Sequence, residues 1–145
     1  MKLDKQISEK IKDYFTKKPE VVVVYLYGSY ARGAACEDSD VDLGILMTPC
    51  LEVKGFGIPQ VVFAQDLTEN IGKKVEVQDL EACRVDFAHR VISEGKLIYS
   101  NDETKRINFE EAVLRNYFSL KPFLDEYYSS LSEIAKKGEL GVRYL

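Results

Sequence analysis

The stretch 21–46, VVVVYLYGSYARGAACEDSDVDLGIL, holds the residues whose types and spacing suit phosphate chemistry. Gly28 allows a sharp backbone turn and a close approach to a ligand. Ser29 adds a hydroxyl, and a helical turn over 29–33 would leave N–H groups facing an anion. After ten intervening residues come Asp40 and Asp42, alternate positions that share one face of a strand. Two adjacent carboxylates repel unless a positive charge lies between them, and Mg²⁺ suits such hard oxygen donors. A phosphate cradle opposite a two-carboxylate metal site is the equipment for phosphoryl or nucleotidyl transfer.

Several elements must hold these groups in place. Residues 21–27 are β-branched and aromatic, as in a buried strand. In the second strand Val41, Leu43 and Ile45 form one face, Leu46 and Met47 extend its apolar end, and Thr48-Pro49 stops it. Ahead of them, Leu3, Ile7, Ile11, Tyr14 and Phe15 predict an amphipathic helix over 3–16, halted before Pro19, that covers the sheet. A loop at 50–57 carries Gly55 and Gly57. A helix over 58–70 follows, with Val61, Val62, Phe63 and Leu67 as its apolar face and Ile71-Gly72 as its close. Residues 74–80 alternate as a third strand, 81–94 read as a helix, and 96–99 as a short strand after Gly95. Beyond the polar turn 100–102, Asn108 with Glu111 fits a capping box. Val113, Tyr117, Leu120, Leu124, Tyr127, Leu131 and Ile134 then make a helical seam, which Pro122 should kink or split and Gly138 should stop. That aromatic-rich seam is expected to pack partly on the chain's own sheet and partly against a partner. The tail 141–145 reads as flexible.

With Ala31, Arg32, Gly33 and Ser39 included, Gly28-Ser29 followed by Asp40-Val41-Asp42 resembles the polymerase-β-like nucleotidyltransferases, and among them the minimal nucleotidyltransferases of prokaryotes. The likeness runs from about residue 20 to about residue 100. It implies an α/β (α+β) fold, a small mixed sheet with packed helices: a nucleotidyltransferase domain over 1–100 with a helical extension of the same domain over 101–145. It also implies roles. Ser29 and the backbone at Gly28 hold the outer phosphates of ATP, and Asp40 and Asp42 bind two Mg²⁺ ions. A third carboxylate on the following strand falls at Glu76, within Val75-Glu76-Val77 and three residues before Asp79. The family's usual residue there is aspartate, so Glu76 is a departure whose extra methylene shifts the oxygens and frees the rotamer. Asp79 belongs on the opposite face of a regular strand. Arg32 reads either as a contact to phosphates or acceptor, or as a solvated loop cation. Tyr30 is expected to pack, and Glu37 and Asp38 to be solvated.

Composition narrows the field. The 145 residues suit one domain with a real core, and 46% hydrophobic with 30% charged residues is ordinary for a globular protein. A net charge of −4 argues against sequence-independent, direct binding to nucleic acid. No apolar run approaches a membrane span, and the charged start MKLDKQISEK is unlike a signal peptide. Cys36, Cys50 and Cys83 share no metal spacing and read as reduced thiols of a cytoplasmic protein. Arg84 and His89 match the Arg-x4–6-His pattern of HEPN ribonucleases, but HEPN domains are wholly helical and strands flank this segment, so the match is a coincidence and His89 is structural.

Stand-alone proteins of this type are antitoxins paired with HEPN toxins. The resemblance therefore implies an adenylyltransferase that moves AMP from ATP to a tyrosine hydroxyl of a HEPN RNase. Two other readings stand beside it: a nucleotidyltransferase acting on a small molecule such as an aminoglycoside, and a binding module that neutralises its partner without catalysis.

Overall fold

The computed structural model describes residues 2–36, 38–48 and 58–136, so the readings for Glu37, Pro49, the 50–57 loop, Gly138 and the tail lie outside the described residues. The elements run α1 (Lys2–Thr16), β1 (Val21–Tyr27), β2 (Val41–Met47), α2 (Pro59–Ile71), β3 (Val75–Asp79), α3 (Val85–Glu94), β4 (Lys96–Ser100) and α4 (Glu103–Lys136). Four strands form one mixed sheet in the order β3-β2-β1-β4. β1 is antiparallel to β2 and β4, and β2 is parallel to β3.

Alternation along the strands divides the core between the two faces of the sheet. On one face Ile7, Ile11 and Phe15 of α1 and Phe63 and Leu67 of α2 pack on Val41, Leu43, Ile45, Val75 and Val77. On the other, Val91 of α3 packs with Tyr25, Leu46 and Leu80. A register shift between Val21 and Val23 puts Val22 and Val23 in the same cluster and resets the alternation before the site is reached. β1, buried almost throughout, is therefore the central rod of a three-layer stack. Gly44 admits Leu80: a Cβ there would meet the Leu80 side chain at 2.8 Å.

Four local readings need correction. Val61 and Val62 do not face the core; they are 50% and 40% exposed, while Phe63 and Leu67 are buried. α3 begins at Val85 because Asp79 first closes a turn, its side chain accepting from Glu81 N–H and its carbonyl from Ala82 N–H. α4 starts at Glu103, capped by Asp102, whose carboxylate accepts from Lys105 N–H at 3.0 Å; the cap is thus six residues earlier than Asn108. The helix also continues through Pro122, so the proline does not split it. The N–H that proline lacks would have met the Phe118 carbonyl, and both residues lie on an exposed part of the helix where that oxygen is open to solvent.

Candidate active site

The turn after β1 is wound tightly. The Gly28 carbonyl accepts from the N–H groups of both Ala31 and Arg32 at 3.1 Å, and the Ser29 carbonyl accepts from Ala34 at 2.9 Å. Among the described residues no backbone carbonyl takes the N–H of Ser29 or Tyr30, so these groups are free to meet a ligand. Gly28 has φ 75°, and a Cβ built there would stand 2.4 Å from Asp42 Oδ2. The glycine is therefore required twice, for its conformation and for the closeness of the carboxylate. Tyr30 and Ala31 are buried in the core, so Tyr30 packs.

Asp42 lies in β2, level with Tyr27 of β1 and Glu76 of β3. Val41 and Leu43 point into the α1–α2 core, so Asp42 and Glu76 point to the opposite face. Asp40 sits just before the strand, at its mouth, and not within it as alternation alone implied. Burial raises the Asp42 carboxyl above the ordinary carboxylate range, and the Glu76 and Asp40 charges raise it further, against the opposing pull of Arg32 and Lys74. Asp40, Glu76 and Arg32 thus all act on Asp42, although exposed Arg32 forms no ion pair among the described residues. Asp79 is apart from them, turned into its own bend.

Two residues of this cluster carry no motif signal. The Tyr27 hydroxyl is pushed well up by burial, then by Asp42 and Glu76, which puts a phenol beside the carboxylates. Lys74 pairs with Glu76 at 3.4 Å on the solvent side. Both could have been found by counting: Tyr27 is the last residue of β1 before the bend, and Lys74 precedes Glu76 by one strand repeat.

Among the described residues no three Asp, Glu, His or Cys side chains converge as a closed metal cage. The donor set nevertheless suits Mg²⁺, which is commonly held by one or two carboxylates together with substrate phosphates. His89 stays out of the chemistry; its ring stacks on Tyr117 at 3.6 Å and 4°.

Residues 9–104 match the family described as Polymerase beta, Nucleotidyltransferase, about two thirds of the chain. The chain belongs to that family. Among relatives of this nucleotidyltransferase is the protein adenylyltransferase MntA of Shewanella oneidensis, 23% identical over 125 residues that cover 83% of this chain and 86% of MntA. Its fold is shared with a chain of a toxin–antitoxin crystal structure with AMP-PNP, at TM-score 0.70 and 20% identity, covering 88% of this chain and 97% of that one. A chain from the complex of tri-AMPylated Shewanella oneidensis HEPN toxin with MNT antitoxin gives TM-score 0.69 at 19% identity, covering 89% and 98%. The mixed α/β architecture expected from the resemblance is thus the one observed.

Proposed function

We infer that this nucleotidyltransferase transfers AMP from ATP to a hydroxyl of a partner protein, a tyrosine of a HEPN-type RNase, and so serves as the antitoxin of a toxin–antitoxin pair. The observation that carries the reading is the contact between the Gly28-Ser29 bend and Asp42, with Glu76 beside it on the same face. The relatives supply the acceptor class: MntA is a protein adenylyltransferase, and a matching fold occurs in a complex with an AMPylated HEPN toxin.

In this reading the free N–H groups and hydroxyl at Ser29 hold the outer phosphates, with Arg32 at the rim of the same turn. Asp40 and Asp42, with help from Glu76, would hold Mg²⁺, which neutralises phosphate charge and assists departure of pyrophosphate. The acceptor oxygen attacks the α-phosphorus in line as the bond to the β-phosphate's bridging oxygen breaks. Its proton passes to the carboxylate cluster.

Incubating the chain and a co-expressed HEPN-type protein with ATP labelled at either end tests this. Label at the α-phosphate is expected on the partner and label at the γ-phosphate is not. Transfer of the γ-label, or of neither, rejects AMP transfer.

A further inference from the structure

The apolar seam of α4 is covered by its own chain for only part of its length. Val113 is buried and Tyr117 stacks on His89 of α3. Further along, Leu120, Phe123 and Tyr127 stand exposed, the last two at 68% and 58%, beside half-buried Leu124, Leu131 and Ile134. Among the described residues, most of the large apolar side chains left exposed belong to this one helix. The helix also lies on the catalytic face of the sheet. Phe109 of α4 and Phe87 of α3 pack in the same cluster as Tyr27, which stands level with Asp42. Phe87 meets Tyr27 edge to face at 5.4 Å. Its neighbour Asp86 shares a cleft of about 470 Å³ with Leu124, Asp125 and Tyr128 of α4. Only α3 thus separates the open seam from the carboxylates, a span of roughly 20 Å from one interhelical distance and two side-chain contacts. A small domain is about 30 Å across, so one seated on the seam reaches Asp42.

We propose that the outer half of α4, from Leu120 to Ile134, is the docking surface for the acceptor protein, and that a helical, basic face of the RNase covers it. The inference rests on the protein-acceptor reading above and deepens it by naming the surface and the kind of face it takes. Steps of four and three along Leu120, Leu124, Tyr127, Leu131 and Ile134 keep the apolar row turned toward one facing helix, and a wholly helical partner offers such a helix. Charge selects the same occupant. Between residues 122 and 135 the helix carries Asp125, Glu126 and Glu133 and no lysine or arginine, although Lys121 reaches Asp125 at 3.9 Å from just outside. A protein that cleaves RNA must present cations to phosphates, so its surface complements these acids. A second copy of this chain would bring the same acids against its own. The positions flanking the seam, Phe123, Tyr128 and Ser130, give that pairing no opposite charge.

Phe123→Glu with Tyr127→Glu tests this against Val61→Glu with Val62→Glu, an exposed apolar pair on α2 across the sheet. Binding of the co-expressed HEPN-type protein is measured by calorimetry without nucleotide, and AMP transfer separately. The α4 pair is expected to weaken binding about a hundredfold or more, and to raise KM for the acceptor while Mg-ATP affinity and kcat at saturation hold. Alanine at the same two positions should weaken binding about tenfold without adding charge. The α2 pair should change neither measurement, and wild-type binding should weaken as salt rises. Wild-type affinity in both α4 variants overturns the proposal, as does a loss confined to the α2 pair or no binding by wild type. Self-association of the wild-type chain that the α4 pair abolishes assigns the surface to a second copy and overturns it too. Binding that depends on α4, without AMP transfer by wild type, upholds the docking and rejects the catalytic reading instead.

Discussion

Two charged regions of this sheet are built on opposite rules. At the foot of α4, Arg106 binds Glu103 at 2.5 Å and Glu110 at 3.1 Å, and Glu110 accepts the Tyr25 hydroxyl at 2.7 Å. Every charge there has a partner, and the knot ties α4 to the central strand. At the other end of the same face, Asp42 is crowded by Glu76 and Asp40, and only the pull of Arg32 and Lys74 opposes them. Charge is neutralised where the chain needs structure and left in excess where a ligand must bring the balance. A site held in this state costs stability until it is filled, the usual trade between stability and function.

Removing a site carboxylate should have the largest effect. Asp40→Ala is expected to lower AMP transfer by about a thousandfold, a loss typical of groups that stabilise transition-state charge, with the fold intact by circular dichroism. Gly28→Ala comes next. It sets a methyl where Asp42 Oδ2 lies and strains a φ of 75°, and a loss of about a hundredfold in kcat/KM is expected from displacement of the carboxylate.

Asp42→Asn separates the two regions by stability. A carboxyl raised in the folded state adds stability below its unfolded pKa and loses it as pH rises through the raised value. At neutral pH the free protein therefore carries the whole penalty, discounted by the solvent that reaches the group. The variant is expected to melt roughly 1–3 °C higher than wild type at pH 7, with the gap closing as pH falls into the carboxylate range. Mg-ATP should reverse the order: at a hundredfold excess over Kd it stabilises wild type by about 2.7 kcal/mol, and the variant far less. Thermal melts with and without Mg-ATP check both halves. Tyr25→Phe, in the balanced knot, should cost about 1 kcal/mol by urea unfolding and leave AMP transfer unchanged, since Glu110 keeps Arg106.

Much of the site could be read in advance because strand alternation and a bend glycine are local properties. Val41, Leu43 and Ile45 on one face oblige Asp42 to the other, and the Val-Glu-Val repeat does the same for Glu76. The failures were of competition between local signals. Asn108 and Asp102 can both cap a helix, and the Arg106 knot with Tyr25 favours the earlier start. Asp79 served as turn former before any helix could begin. Val61 and Val62 are apolar yet stand outside the core, because which side of α2 faces the sheet is fixed by Phe63 and Leu67. Tyr27 and Lys74 carry no motif signal and could be found only by counting, Tyr27 as the last residue of β1 before the bend and Lys74 one strand repeat before Glu76, while the level of Tyr27 with Asp42 is a long-range fact of pairing register. The aromatic run of α4 shows a mixed outcome. Tyr117 is held by His89, whereas Phe123, Tyr127 and Tyr128 remain exposed.

The most direct test is the intact mass of the HEPN-type protein after incubation with this chain, ATP and Mg²⁺. The account expects a gain of one or more AMP units with wild type and none with Asp42→Asn. An unchanged mass with wild type, while the RNase is nevertheless silenced, would contradict it and leave neutralisation by contact alone.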